Sequence, residues 1–159
     1  MAKPQSAAPA SIDIDTLVLI VVGAHPRAEL HDRSAAYRLR QRAADWLANR
    51  PIEKGHHPLD LQPLVVTDVW YLNDPSLRSC PTISVGGPGV NALSAFLGDK
   101  LPSAFVVDDV LMVQLDVGLE ELTACCWGVD PDATRAAVDA FTERYLESFM
   151  EAAVSRLEA

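Results

Sequence analysis

Ionisable side chains suited to acid–base chemistry follow the first long apolar run of the chain. His25 and Arg27 come directly after it, and Glu29, His31 and Asp32 lie a few residues further along. Histidine changes its protonation state near neutral pH, and arginine binds carboxylate or phosphate groups. We therefore expect His25 as a candidate general base and Arg27 as a candidate anion clamp. The alternative interpretation is that these polar residues follow a strand in a surface loop and serve solubility alone.

A second candidate for catalysis is Asp68, which interrupts an apolar stretch at residues 64–72. The stretch predicts a strand, and a carboxylate within a strand either lies on an exposed edge or is held by a partner. An arginine of the first predicted helix would be a structural partner, whereas a position at the strand's end would suit a functional site. Both interpretations are open at this stage.

Turns rich in glycine and proline follow three predicted strands, at residues 23–26, 86–91 and 128–131. In a parallel sheet such turns meet at the carboxyl edge, where ligands of this architecture bind. Glycine lets the backbone approach a ligand, and free N–H groups at a helix start attract phosphate or carboxylate.

The second turn predicts the ligand cradle, with His25 and Arg27 opposite it. Its expected ligand contacts are Gly86, Gly87, Gly89 and Asn91. The third turn is less suited to an anion, because Asp130 and Asp132 would already occupy the start of its helix. The alternative for the second turn is architectural: the glycines form a tight turn, and Asn91 bonds local backbone.

The sequence assigns no metal and identifies no cofactor. The second turn has neither the glycine order of a dinucleotide fingerprint nor the Lys-Ser/Thr of a P-loop. His56 and His57 lack further ligands at a known spacing, so a solvated loop is the favoured interpretation. Cys80 has no histidine near it in the sequence, and Cys125 and Cys126 are interpreted as small apolar strand residues.

Buried strands that alternate with amphipathic helices must position these residues. Strands are predicted at residues 16–22, 64–72, 82–85, 104–115 and 122–127, with Asp108-Asp109 as a possible hairpin turn in the fourth stretch. Helices are predicted from Asp32 as N-cap to Pro51, from Pro88 to about residue 97, and from Asp130 as N-cap to the C-terminus.

This order predicts an α/β fold in three layers: a mostly parallel sheet of about five or six strands, a partly antiparallel edge and three main helices. Residues 1–15 are expected to form a flexible N-terminal tail, and residues 16–159 a single domain.

Composition narrows the classes of function. Hydrophobic residues make up 49% of the chain, which is usual for a globular protein, and the net charge is −9. An acidic body argues against general nucleic-acid binding. No apolar run is long enough for a membrane span and the N-terminus has no signal-peptide core, so a cytoplasmic protein is expected. The basic stretch at residues 27–54 and the acidic final third favour self-association into a homo-oligomer, or are simply solvated helix faces.

The second and third turns resemble a local pattern of archaeal S-layer proteins, in which a Gly-Gly-Pro-x-x-Asn turn follows a strand and a Gly-x-Asp-x-x-Asp-Thr segment later begins a helix. The matching residues are Gly86, Gly87, Pro88 and Asn91, followed by Gly128, Asp130 and Thr134, with a difference of one residue in the second spacing. The likeness covers about a third of the chain. It implies a shared strand–turn–helix design and brings no activity with it.

The function expected from the sequence is binding of an anionic small molecule, nucleotide-like in its chemistry, at the carboxyl edge of the sheet. Whether the protein is an enzyme is left open; hydrolysis or group transfer with His25 as base would be the natural reaction. The alternative is a non-catalytic assembly or scaffold protein that associates through its amphipathic helices.

Overall fold

Six strands form one mixed sheet in the computed structural model, which describes residues 12–51 and 61–159. The strands are β1 (Leu17–Val22), β2 (Gln62–Thr67), β3 (Thr82–Val85), β4 (Ser103–Val107), β5 (Leu111–Leu115) and β6 (Thr123–Gly128). Their order across the sheet is β2-β1-β3-β6-β5-β4. The first four strands in this order are mutually parallel, and β5 runs antiparallel to both β6 and β4. The predicted mostly parallel sheet with an antiparallel edge is confirmed.

Strand β1 runs through the middle of the molecule and is buried along its whole length. Val18, Ile20 and Val22 belong to one apolar cluster, whereas Leu19 and Val21 belong to a second cluster on the opposite face. Alternate residues of a strand point to opposite faces, so both faces of the sheet are covered. The fold therefore has the three layers that the sequence predicts.

Helices α1 (Arg33–Asn49), α4 (Pro131–Arg144) and α5 (Leu146–Glu158) cover one face, and the short helices α2 (Asp68–Asn73) and α3 (Ala92–Leu97) cover the other. The helix predicted to run from Asp130 to the C-terminus is instead two helices, because Tyr145 leaves the helical conformation at φ −130°. The Tyr145 hydroxyl donates a hydrogen bond to Ala104 O at 3.1 Å, which ties the break to β4. Asp130 is the N-cap as predicted, since its side chain accepts from the Ala133 N–H.

The prediction of a single strand over residues 64–72 is wrong in its second half. Strand β2 ends at Thr67, whose hydroxyl accepts from the Trp70 N–H and caps the short helix α2. Asp68 is therefore the first residue of a helix and does not interrupt a strand. The apolar side chains that follow it concealed the change of conformation, because Thr67 and Asp68 are the only cap signal in the run.

Asp32 is not the side-chain N-cap that the sequence predicts. The helical conformation already begins at Pro26, and Ala28–Asp32 form one π-helical turn that leads into α1. The Arg33 N–H bonds to Ala28 O, five residues back, and Asp32 makes no side-chain cap bond. A single π turn inside a helix is uncommon and is often found at functional sites.

The structure also bears on the expected hairpin, on the two charged stretches and on the expected absence of a membrane span. β4 and β5 form the hairpin expected around Asp108-Asp109, with Asp109 at φ 61°. Ion pairs Arg38–Asp139 and Arg50–Glu158 join the basic stretch at residues 27–54 to the acidic C-terminal helices within one chain. No helix in residues 12–51 and 61–159 is long and apolar enough to cross a membrane. Residues 1–11 of the predicted tail, and His56 and His57, lie outside the described residues.

Candidate functional site

The turns that follow β1 and β3 are in direct contact at the carboxyl edge of the sheet. Gly23 lies so close to the backbone carbonyl of Val90 that a Cβ at this position would overlap it. The strand order changes direction between β1 and β3, since β2 lies beyond β1 and β6 lies beyond β3. Ligands of open α/β sheets bind at such a switch point.

Asp68 joins the same two turns through its carboxylate. Its Oδ1 accepts hydrogen bonds from the Ala24 N–H at 2.9 Å and from the Val69 N–H at 2.8 Å, and its Oδ2 accepts from the Ala92 N–H at 2.8 Å. The side chain is only 5% exposed. The partners that hold this carboxylate are backbone amides and not the arginine considered in the sequence analysis.

Asn91 occupies the centre of the carboxyl edge and is 1% exposed. Its Nδ2 donates to Val21 O at 3.1 Å, to Val85 O at 2.9 Å and to Ser84 Oγ at 3.1 Å. Its Oδ1 accepts from the Leu93 and Ser94 N–H groups in the first turn of α3. The side-chain amide thus links β1, β3 and α3, and its hydrogen-bonding groups are engaged inside the protein.

A half-open cleft of about 260 Å³ lies beside these turns. Arg27 and Asp32 border it from the start of the first helix, and residues 87–90 border it from the turn after β3. The third wall is formed by residues 127–131 and Thr134, at the junction of β6 and α4. The cleft is thus built from segments that follow three parallel strands.

The backbone donors in the cleft differ between the two turns. The N–H groups of Gly87 and Gly89 bond to no other described residue, whereas those of Val90 and Asn91 bond to Gly87 O. In the third turn Gly128 N–H bonds to Thr134 Oγ1 and Val129 N–H bonds to Val110 O, whereas the Asp130 N–H bonds to no other described residue. Asp130 accepts from Ala133 N–H at 2.7 Å and fills the start of α4. Among the described residues the second turn therefore offers two backbone donors to a ligand, whereas the third turn offers one, beside the Asp130 carboxylate.

Asp32 contributes a buried carboxylate to the cleft and is 6% exposed. Burial raises the pKa of this carboxyl above its ordinary value, and the charge of His31 opposes the rise. The carboxylate rests against Gly86, where a Cβ would lie 2.6 Å from Asp32 Oδ2. Gly86 itself has φ +110°, a conformation that favours glycine. The backbone at Gly86 therefore makes room for the Asp32 side chain.

The π turn explains how Arg27 and Asp32 reach the same cleft. Five residues in a regular α-helix turn through about 500°, which would leave the two side chains roughly 140° apart. A π turn spreads five residues over about one full turn and so brings both side chains to one face. No sequence pattern indicates the π turn, so the sequence does not predict that Arg27 and Asp32 lie on the same face of the helix.

The other predicted site residues are distributed as follows. Arg27, Gly87 and Gly89 line the cleft together. His25 is exposed and is not among the described residues that line it; its Nδ1 accepts from the Arg27 N–H at 3.1 Å. Gly86 lies behind Asp32, and Asn91 is buried beneath the turn, so neither borders the cleft.

The three cysteines are buried and take no part in the cleft. Burial raises the pKa of the Cys80 thiol, and it raises the pKa of Cys125 to about 11. A raised pKa disfavours the thiolate, which is the nucleophilic form. In the part of the chain that the structure describes, no three His, Cys, Asp or Glu side chains form a group that could hold a metal ion.

Comparison with known proteins gives no match: neither a protein-family model nor a curated protein sequence matches this chain. The likeness of the second and third turns to S-layer proteins therefore stays a resemblance of local sequence pattern.

Proposed function

We propose that this domain binds a small molecule through an anionic group, a phosphate or a carboxylate, in the cleft between the turns after β3 and β6. The observation that carries the proposal is that Gly87 and Gly89, whose N–H groups bond to no other described residue, line the same cleft as Arg27. Backbone N–H groups and a guanidinium are the donors that proteins use for oxyanions. A cytoplasmic setting is part of the proposal.

The size of the cleft restricts the ligand. About 260 Å³ lies at the lower end of ligand pockets, so a phosphorylated metabolite or a mononucleotide fits better than a dinucleotide. The open side leaves room for a part of the ligand to extend into solvent. Trp127 lines the cleft and offers an aromatic surface for a ring.

A thermal-shift panel tests anion binding. Inorganic phosphate, ethyl phosphate, adenosine monophosphate and acetate are compared with chloride at equal ionic strength, and we expect at least one oxyanion to raise the Tm in a saturable way. The Arg27→Gln variant should weaken this response about tenfold or more. Arg78→Gln is the matched control, because Arg78 is exposed and lies before β3, at the opposite edge of the sheet. If none of the oxyanions raises the Tm more than chloride does, the proposal is wrong.

Self-assembly is the second candidate, and exposed apolar residues at the sheet edge favour it. Val106, Val107 and Val110 are 41%, 42% and 42% exposed on β4 and its turn. An edge strand with unpaired backbone groups and apolar side chains is a surface on which two chains pair. The apolar faces of α1, α4 and α5, in contrast, pack into the core of their own chain.

Mass measurement in solution separates this candidate from ligand binding. The wild-type chain would form dimers or larger species in light scattering at low and high salt, and Val106→Lys would shift it to monomer. A monomer at all concentrations tested would exclude assembly through this edge.

A further inference from the structure

Asp32 differs from the other buried polar side chains in the described part of the chain. These are Thr82, Ser84, Asn91, Ser94, Gln114, Thr134 and Asp68, and each has a hydrogen-bond partner. The Asp32 carboxylate, at 6% exposure, bonds to none of the described residues. Among the described residues no buried side-chain oxygen is both sealed from solvent and unpartnered, so the Asp32 oxygens keep some solvent access, and Asp32 is one of the residues that line the cleft.

A carboxylate in this position is suited to one kind of ligand group. An ionised carboxylate only accepts hydrogen bonds, and removing most of its hydration by burial without a donor from the protein makes its charged form less favourable. Arg27 lines the same cleft but forms no ion pair with a carboxylate among the residues described. A ligand ammonium would supply the missing donor and a compensating charge.

The anion-binding donors and the carboxylate occupy different parts of one cleft. Gly87 and Gly89 border it from the second turn, while Asp32 borders it from the π turn, seated against Gly86. The chain as a whole carries a net charge of −9, which repels a purely anionic ligand at long range. A ligand that also carries a positive group is repelled less, because its net negative charge is smaller.

We propose that the ligand of this cleft is zwitterionic, with its anionic group on Arg27 and the Gly87 and Gly89 N–H groups and its ammonium group on Asp32. The inference rests on the proposed anion site and adds the second half of the ligand. Amino acids and phosphorylated amines are the chemical classes that carry both groups within a span of a few bonds.

Two probes that differ only in the ammonium group test this inference. Binding of O-phosphoethanolamine and of ethyl phosphate is measured by calorimetry on the wild-type chain, Asp32→Asn and Asp74→Asn. We expect the wild type to bind O-phosphoethanolamine about tenfold more tightly than ethyl phosphate, the range of one charge-assisted hydrogen bond. Asp32→Asn should remove most of this preference while it retains binding of ethyl phosphate.

Asp74→Asn is the matched control, since Asp74 lies outside the cleft and asparagine is an equally good residue for its N-cap bond to the Ser76 N–H. This variant should keep the preference. If the wild type binds the two probes equally, or if the preference survives Asp32→Asn, the proposal that an ammonium group binds Asp32 is wrong. The proposed anion site would be unaffected by either result. Absence of binding by either probe, together with a negative oxyanion panel, would overturn the proposed function itself. The comparison of the two probes on the wild type holds even if a variant fails to fold.

Discussion

Two aspartates lie at the same edge of the sheet and are buried to nearly the same extent, Asp68 at 5% and Asp32 at 6% exposure. They differ in their partners. Asp68 accepts three backbone N–H bonds, whereas Asp32 accepts none from the residues that the structure describes. A desolvated carboxylate is unfavourable unless donors surround it. The number of donors, and not the degree of burial, therefore separates a carboxylate that holds the fold from one that is available to a ligand.

The same division extends to the neighbours of each aspartate. Asp68 and Asn91 cross-link the ends of β1 and β3 and the start of α3 through short hydrogen bonds. Around Asp32 the backbone instead leaves donors free, at Gly87 and Gly89. One half of the carboxyl edge thus fixes the geometry, and the other half presents unsatisfied groups to the cleft. The following predictions test this division, from the largest expected effect to the smallest.

Asn91→Ala should have the largest effect on stability. The substitution removes the side-chain donor of Val21 O and Val85 O and the acceptor of the first α3 amides, in a buried position. We expect a loss of about 3–5 kcal/mol in the free energy of unfolding, measured by urea denaturation. Asn73→Ala is the control, because Asn73 is exposed and its Nδ2 makes a single bond to Val69 O. A loss under about 1 kcal/mol for Asn91→Ala would show that the carboxyl edge does not depend on this amide.

Asp68→Asn should destabilise the protein by about 2 kcal/mol. Asparagine retains one carbonyl oxygen, but its NH₂ group would face the N–H donors that now bond to the second carboxylate oxygen. The measurement is the free energy of unfolding at neutral pH, with Asp32→Asn as the paired variant. If both substitutions lower stability equally, the distinction between the two carboxylates is wrong.

The fold was predictable from the sequence to a large extent because its signals are local. The uninterrupted apolar run of β1 predicts a strand buried on both faces, and Asp130-Pro131 predicts the start of α4; both are found in the structure. Residues 68–72 were misassigned because Val, Trp, Tyr and Leu suit a buried strand as well as a short helix. The break at Tyr145 depends on a tertiary bond to β4, which no local pattern contains.

The candidate site was predictable only in part, for a similar reason. The sequence places Arg27, Gly87 and Gly89 at one edge because parallel strands bring their following turns together. It does not reveal that Thr134 and Val110 engage the Gly128 and Val129 N–H groups of the third turn, although the cap at Asp130 is a local signal. The position of Asp32 follows from a π turn, which is an insertion in the hydrogen-bond ladder and is set by packing.

Gly86→Ala tests the contact between the two halves of the edge. At φ +110° an alanine is strained, and its Cβ would lie 2.6 Å from Asp32 Oδ2. We expect a loss of about 1–3 kcal/mol in the wild-type background. In an Asp32→Ala background the steric part of the loss disappears and only the backbone strain remains. A double-mutant cycle on the free energy of unfolding measures the difference, and strict additivity would show that Gly86 does not accommodate Asp32.

Asp32→Asn should change the free energy of unfolding least. At neutral pH it should stabilise the protein, whereas Asp68→Asn destabilises it. Because burial raises the pKa of Asp32 in the folded state above its ordinary value of 3.8, the folded protein binds the proton more tightly than the unfolded chain. The contribution of this group to stability is therefore greatest below 3.8 and is lost as the pH rises through the raised pKa. Asparagine does not ionise, so the variant lacks this loss.

The difference in the free energy of unfolding between Asp32→Asn and the wild type should increase in favour of the variant from about pH 4 to about pH 8. Urea denaturation at intervals of pH measures it, and a difference that stays constant or falls would show that Asp32 is not an unpartnered buried carboxyl. Because the buried Asp32 carboxylate has no partner among the described residues, a ligand group can supply that partner. A bound ammonium restores the partner that the folded chain lacks, so O-phosphoethanolamine should raise the Tm of the wild type more than that of Asp32→Asn at the upper end of this range.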